Sequence, residues 1–402
     1  MDMQIIDSIV AEAALFRQIR RDIHAHPELC FEERRTSDKI AQQLQDWGIE
    51  VHRGLGRTGV VGVIQGRKPG TRAIGLRADI DALPVTEKNS FDHASRHPGR
   101  MHACGHDGHT AMLLAAARHL SRERDFAGRV VCIFQPAEEG GGGAREMLRD
   151  GLFERFPVDA VFAMHNWPGI EAGKFAVNTG PVMASSNEFR IVVRGKGSHA
   201  AMPHLGLDPV PVACQIVLAL QSVVSRNKNP LEAGVVSVTM VHGGEATNVI
   251  PDTVELQGTV RTFSTALLDM IEANMQRIAT HTAQAFGLSC EFEFSRNYPP
   301  TVNHAGPTEF ARRVLVDLVG EQGVLAFEPS MGAEDFSYML QQCPGSYVII
   351  GNGAGDHRLP GHGAGPCTLH NASYDFNDEI LPLGASFWVH LVHRWLSQDA
   401  AA

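Results

Sequence analysis

Arg129-Val-Val-Cys-Ile-Phe-Gln-Pro-Ala-Glu-Glu-Gly140 is an apolar run that stops at a proline, two adjacent carboxylates and the first of four consecutive glycines. A short apolar run bounded by turn residues reads as a buried strand. Asp159-Ala-Val-Phe-Ala-Met164 has the same character and leads into His165-Asn-Trp-Pro168, and Ala73-Ile-Gly-Leu76 leads into Arg77-Ala-Asp79. Strands buried on both faces belong inside an α/β sheet, where polar residues from separate segments converge outside the carboxyl ends. The pattern predicts an α/β domain with a site at one end of its sheet.

The residues available for that site are metal ligands by type. Met101-His-Ala-Cys-Gly-His-Asp-Gly-His-Thr110 places one thiol and three imidazoles in ten residues. Soft thiolate and borderline imidazole hold first-row divalent ions near neutral pH, whereas a simple turn needs only Gly, Asn or Ser. His165 and His370, the latter in Cys367-Thr-Leu-His-Asn-Ala-Ser373, add further donors. A divalent ion lowers the pKa of a bound water towards ~7, and a base must then take the proton. Neighbouring side chains on an extended segment point in opposite directions, so one of Glu138 and Glu139 can bind metal while the other acts as base. Spacing leaves open which does which. Asp79 either orients a ligand by accepting its ring N–H or simply starts the turn to Pro84. Asp107 is expected to cap a helix from about Gly108 to Leu120, with His109 in its first turn. His24 and His26 read as a helix end.

The middle of the chain is organised differently. Glu188 to Arg194 alternates, Asp208 to Arg226 has helical periodicity, and Val235 to Val241 alternates again. Val254 to Phe263 then reads as a strand, Thr265 to Phe286 as a helix and Cys290 to Phe294 as a last strand. This βαββαβ order is the ferredoxin-like arrangement, a small antiparallel sheet with both helices on one face. It predicts an inserted domain at 185–299 within a larger domain formed by 1–184 and 300–402.

Seven ordered motifs carry a resemblance that covers nearly the whole chain. They are Leu76-Arg-Ala-Asp-Ile-Asp-Ala-Leu-Pro84, the Cys104/His106 cluster, Gln135-Pro-Ala-Glu-Glu139, Gly195-Lys-Gly-Ser-His-Ala-Ala-Met-Pro203, Thr247-Asn-Val-Ile-Pro251, Gly332-Ala-Glu-Asp-Phe336 and His370. The chain resembles the M20 metallopeptidase family, in particular its amidohydrolase branch of hippurate hydrolases, N-acyl-amino-acid deacylases and auxin-conjugate hydrolases. The resemblance implies a zinc-peptidase-like catalytic domain, a mixed sheet flanked by helices, with an inserted ferredoxin-like lid and dimerisation domain. It implies two divalent ions per subunit (Mn, Zn, Co or Ni) held by Cys104, His106, Glu139, His165 and His370, with Cys104 bridging. It makes Glu138 the general base, His199 a donor to the scissile carbonyl, and Asn248 and Arg261 the residues that hold the substrate's carboxylate. His102 and His109 become supporting residues. Other branches carry His-x-Asp where this chain has Arg77-Ala78-Asp79, which favours a deacylase over a dipeptidase.

The implied reaction is hydrolysis of an N-acyl amino acid to a carboxylic acid and a free amino acid. Two alternatives stand beside it: a dipeptidase or carboxypeptidase acting on small peptides, and a binding protein of the same fold without turnover. The intact Glu138 argues against the second. Met183, Phe189, Leu205 and Met331 are candidates to line the acyl pocket.

Composition narrows the partners. A length of 402 residues exceeds one ordinary core, and 44% hydrophobic with 20% charged residues provides ample core material. The formal charge of −10 disfavours nucleic acid. No run of eighteen apolar residues occurs, so no membrane span is expected. Seven scattered cysteines and an acidic start point to a reducing cytoplasm rather than secretion. The lid resemblance implies a homodimer or higher homo-oligomer.

Overall fold

In the computed structural model, which describes residues 4–358 and 360–397, the opening apolar run becomes the strand Ala127–Gln135, with Val130 to Phe134 fully buried. It lies third in an eight-stranded sheet ordered Glu50–Leu55, Gly59–Gln65, Ala127–Gln135, Lys68–Asp79, Ala160–Pro168, Gly345–Gly353, Phe175–Ala176 and Val324–Leu325. The four strands from Ala127–Gln135 to Gly345–Gly353 are parallel. Their carboxyl ends therefore share one side of the sheet, with Asp79 beside Gln135 and His165 beside Ile349. His165 and Asn166 lie within the Ala160–Pro168 strand rather than after it, so regular backbone fixes their direction.

The helix His106–Arg122 packs against Leu381–Leu396, Ala13–Ala25 and the Lys68–Asp79 strand. Leu113, Leu114 and Leu120 join Ile74, Val130, Phe162 and Trp388 in one core. Each such side chain contributes roughly 1.5–3 kcal/mol on burial, which anchors the helix that carries His106. The helix starts two residues earlier than its periodicity suggests. Gly105, at φ +92°, occupies the N-cap in place of Asp107. A Cβ at Gly105 would lie 2.3 Å from Asn166 Oδ1, so both the conformation and the space exclude a side chain.

The described chain forms two compact units. One contains residues up to Gly180, Val302–Glu328 and those from Asp335 onward; the other contains Pro181–Thr301 and Pro329–Glu334. The second unit has the βαββαβ order: Ser186–Arg194, Pro209–Ser222, Gly234–His242, Thr253–Thr262, Thr265–Ala285 and Ser289–Tyr298. Its four strands pair antiparallel in the order Gly234–His242, Thr253–Thr262, Ser186–Arg194, Ser289–Tyr298. Phe189, Ile191 and Val193 alternate onto the helical face and meet Val212, Ile216, Ile271 and Met275. Phe189 is 3% exposed in this core.

Pro209–Asn227 is long and apolar enough to cross a membrane by length and composition alone. It is nevertheless amphipathic in its packing: Val212, Ala213, Ile216, Leu220 and Val223 are buried in the core. Asp208 caps its start through Val210 N at 2.9 Å.

Candidate metal centre

The parallel strand ends and the start of His106–Arg122 bring Cys104, His106, Glu138, Glu139 and His165 together. Cys104 Sγ lies 3.3 Å from His165 Nε2. His106 Nε2 is 3.9 Å from Glu139 Oε1, and His370 Nε2 is 3.2 Å from the same oxygen. His370 sits in a left-handed backbone conformation at φ +61°, and its N–H donates to Ala103 O at 2.8 Å, tying it to the Cys104 segment.

Two atoms in this group are revealing. His106 Nε2 and Glu139 Oε1 are buried and have no hydrogen-bond partner. Native interiors rarely leave such atoms unsatisfied, and a cation satisfies both. Donor atoms of Cys104, His106 and Glu139 lie within 4.8 Å of one another, as do those of Asp79, His106, His109 and His165. Electrostatics agree. Burial and the neighbouring Glu139, Glu138 and Asp79 push the Cys104 thiol well up. Burial opposes charge on His106, yet Asp79, Asp81 and Glu139 outweigh it and raise the imidazole to about 10. Both shifts express one buried excess of negative charge, which divalent ions relieve. The residues fit such ions.

Hydrogen bonds behind the rings fix their direction. His106 Nδ1 donates to Asp81 O at 2.9 Å, which turns Nε2 into the pocket. His165 Nδ1 donates to Asn166 O at 2.7 Å, leaving Nε2 towards Cys104. Burial, together with His109 and His106, pushes the His165 pKa well down and keeps this donor neutral. Asp79, considered for the orienting role, instead accepts from His109 Nδ1 at 2.6 Å and Arg77 at 2.8 Å. Orientation of His106 falls to Asp81. His109 Nε2 accepts from Asn166 N at 3.0 Å, so both its nitrogens are committed.

The adjacent carboxylates face different surroundings. Glu139 Oε1 looks towards His106 and His370, while Glu138 Oε1 receives Asp335 N–H at 3.4 Å. Asp335 also binds Gln135 Nε2 at 2.8 Å, Ala144 N at 2.9 Å and Arg77 at 3.1 Å. The fully buried Arg77 donates to Gln135 Oε1 at 2.8 Å. One guanidinium thus ties two strand ends to Asp335, whose N–H meets Glu138. Behind that loop, Glu33 Oε1 accepts Ala137 N–H at 2.9 Å and holds Ala137 at φ +54°.

Sequence reasoning missed Arg77, Asp81, Asn166, Asp335 and Glu33 as parts of this centre. Arg77, Asp81 and Asp335 were visible inside the quoted motifs, and Asn166 stands next to His165. Glu33 accepts from Phe31 N two residues back, but the partners that tie it to this centre are 25 and 104 residues away.

The remaining candidates lie in the second unit. Ser198–His199 pairs with Val249–Ile250, and Ala200 N donates to Asn248 O at 3.0 Å, so His199 and Asn248 are neighbours. His199 Nδ1 accepts from Ala201 N at 3.1 Å, which commits that nitrogen. Arg261 alternates with the core residue Val260 and lies on the face away from the helices. It lines a cleft of about 430 Å³ with Glu188, Gln257 and Ser295. Its Nε donates to Thr259 Oγ1 at 3.2 Å, and burial lowers its pKa while Glu188 opposes that.

Comparison with known proteins places the chain in a family. The sequence profile of peptidase family M20/M25/M40 matches residues 75–394. The chain is 38% identical over 395 residues to a hippurate hydrolase of Campylobacter jejuni, covering 98% of this chain and 100% of that one. It is 40% identical over 375 residues to thermostable carboxypeptidase 1 of Saccharolobus solfataricus, covering 92% of each. A crystal structure of a Bacillus subtilis dinuclear metal binding peptidase from the M20 family matches with a TM-score of 0.82 and 34% identity, over 96% of this chain and 99% of that one. With its metal-ligand cluster placed at the sheet end, the chain belongs to peptidase family M20/M25/M40 and is a metal-dependent amidohydrolase.

Proposed function

We propose that the protein hydrolyses N-acyl amino acids of the hippurate type, releasing a carboxylic acid and a free amino acid. The observation that carries the reading is the pair of buried ligand atoms His106 Nε2 and Glu139 Oε1, neither of them hydrogen-bonded, beside Glu138. Cys104, His106, Glu139, His165 and His370 would hold two divalent ions. Such ions supply Lewis acidity, easing deprotonation of water and drawing charge from the carbonyl oxygen. Glu138 takes a proton from the attacking water as it adds to the amide carbonyl. It then delivers that proton to the departing nitrogen as the C–N bond breaks, so both products leave with balanced protons. His199 donates to the carbonyl oxygen as negative charge develops there. Asn248 and Arg261 hold the substrate's carboxylate, Arg261 through two parallel hydrogen bonds.

Arg261→Ala is expected to raise KM for N-acyl amino acids by about 10- to 100-fold, the effect of losing charge-assisted hydrogen bonds. N-acyl amines without a carboxylate serve as the control; an equal rise for both removes Arg261 from carboxylate recognition. Cys104→Ser should lower bound metal per subunit, measured by elemental analysis after gel filtration, because serine replaces a soft ligand with a poor one. Undiminished metal content would take Cys104 out of the ligand set.

The 40% identity to a carboxypeptidase favours a second reading, cleavage of small peptides. Arg77 supports the first, since it occupies the position of a histidine in other branches and is spent on Asp79, Gln135 and Asp335. A hydrolysis screen decides between them: N-acetyl, N-benzoyl, N-lauroyl and indoleacetyl amino acids against dipeptides with free amino termini, each with Mn, Co, Ni and Zn. Turnover confined to dipeptides would overturn the proposal, and inactivity throughout would favour a binding protein.

The homodimer reading draws support from the second unit. Val210 and Leu218 on Pro209–Ser222 are 39% and 73% exposed, and Met240 and Val241 on the edge strand Gly234–His242 are 43% and 58% exposed. A second copy pairing along this edge would cover them. All seven cysteines are free, which supports a reducing compartment.

A further inference from the structure

Among the described residues, four other than glycine have positive φ: Phe31 at 63°, Arg57 at 72°, Ala137 at 54° and His370 at 61°. The left-handed region is unfavourable for side chains of this size, and such strain persists where surrounding structure enforces it, often at sites. Ala137 and His370 belong to the metal centre. Phe31 and Arg57 do not. They stack on each other, with Arg57 Cζ 4.3 Å from the Phe31 ring centroid, and both line an open cleft of about 600 Å³.

The walls of this cleft are basic on a chain whose net charge is −10. Arg34, Arg53 and Arg57 face Asp38 as the only carboxylate in the lining. Asp38 is already paired with Arg53. Arg34 makes no side-chain hydrogen bond or ion pair among the described residues, and Arg57 is engaged only through its ring contact. A guanidinium laid on an aromatic face keeps its in-plane N–H edges free, the geometry that binds carboxylate or phosphate through two hydrogen bonds. Ser37, 3% exposed in the lining, accepts from Arg53 at 3.4 Å and keeps its hydroxyl proton to donate.

We propose that this cleft is an anion-binding site, separate from the metal centre, for a small molecule bearing phosphate or carboxylate groups. Its position gives it access to the catalytic loop. Thr58 in the lining donates to Glu33 Oε2 at 2.6 Å, and Glu33 Oε1 accepts Ala137 N–H, one residue before Glu138. The Phe31 ring lies 3.0 Å from where a Cβ on Gly141 would stand.

The test is calorimetric titration of the metal-loaded full-length protein with inorganic phosphate and, separately, with succinate, a weakly chelating carboxylate. Saturable binding of at least one is expected, and the tighter of the two identifies the group recognised. Arg57→Gly relieves the backbone strain while removing the guanidinium, and Arg34→Ala changes an exposed side chain, so both should fold. Each should weaken binding by at least ~10-fold, the loss of one charge-assisted contact, with metal content unchanged. The proposal is overturned if neither anion saturates. It is equally overturned if binding survives in the Arg34→Ala/Arg57→Gly double variant, which would place the anion on the metal centre instead.

Discussion

Glu138→Gln is expected to keep its full complement of metal and to lose at least ~10²-fold in kcat, the usual contribution of a positioned general base. The substitution preserves shape. Glutamine retains the oxygen that accepts Asp335 N–H at 3.4 Å. What disappears is the ability to take and return a proton, together with one of the negative charges that push up the Cys104 thiol. KM should change little, because Glu138 acts on the attacking water rather than on the bound acyl group. Elemental analysis and steady-state kinetics on one preparation separate the outcomes. Near-normal turnover would sink the assignment of Glu138 as base. A parallel fall in metal content would instead make Glu138 a ligand and reopen the division of labour with Glu139.

That division shows what the sequence could and could not carry. The expectation that Glu138 and Glu139 face apart assumes an extended segment, whereas both lie in a turn beyond the strand end at Gln135; their different surroundings are set by His106, His370 and Asp335, none adjacent in sequence. The ligand types were legible because thiol and imidazole at Cys104 and His106 are poorly explained by packing. Their orienting partners were not, since aspartates such as Asp81 and Asp79 look alike until the fold decides which ring each one meets. The ferredoxin-like module was legible through its period-two strands and long helices. The helix start at His106 was misplaced because an N-cap normally shows as Ser, Thr, Asp or Asn, whereas here Gly105 was selected by close approach of Asn166. Asp107, released from capping, is committed elsewhere. It is buried against His24 and Arg20, which lie 83 and 87 residues earlier in the chain.

Asp107→Asn is accordingly the substitution expected to cost most in stability. Asp107 Oδ2 lies 2.9 Å from His24 Nδ1 and 3.4 Å from Arg20, and all three side chains are fully shielded from solvent. Arg20 keeps Asp378 at 2.7 Å and His24 keeps Glu87 at 3.3 Å, but removing the shared central carboxylate of a buried charge network leaves it under-compensated in low dielectric, at a cost of up to about 3–5 kcal/mol. Urea unfolding followed on the first unit should therefore shift to clearly lower denaturant. The pH dependence identifies the cause. Burial opposes charge on His24, but Asp107 and Glu87 outweigh it and raise its pKa to about 10. The folded protein then keeps a proton that the unfolded chain releases near pH 6.5, so this stabilisation is complete below ~6.5 and fades as pH rises towards 10. Without the Asp107 charge the His24 pKa falls back, and the variant lacks most of that dependence. The stability gap between wild type and Asp107→Asn should narrow as pH rises through this window. A gap that stayed constant or widened would mean that Asp107 acts through packing or hydrogen bonding alone. Because Asp107 adjoins His106, metal retention measured alongside tells whether loosening the first helical turn also frees the ligand, an outcome that would join the buried charge network to the metal centre.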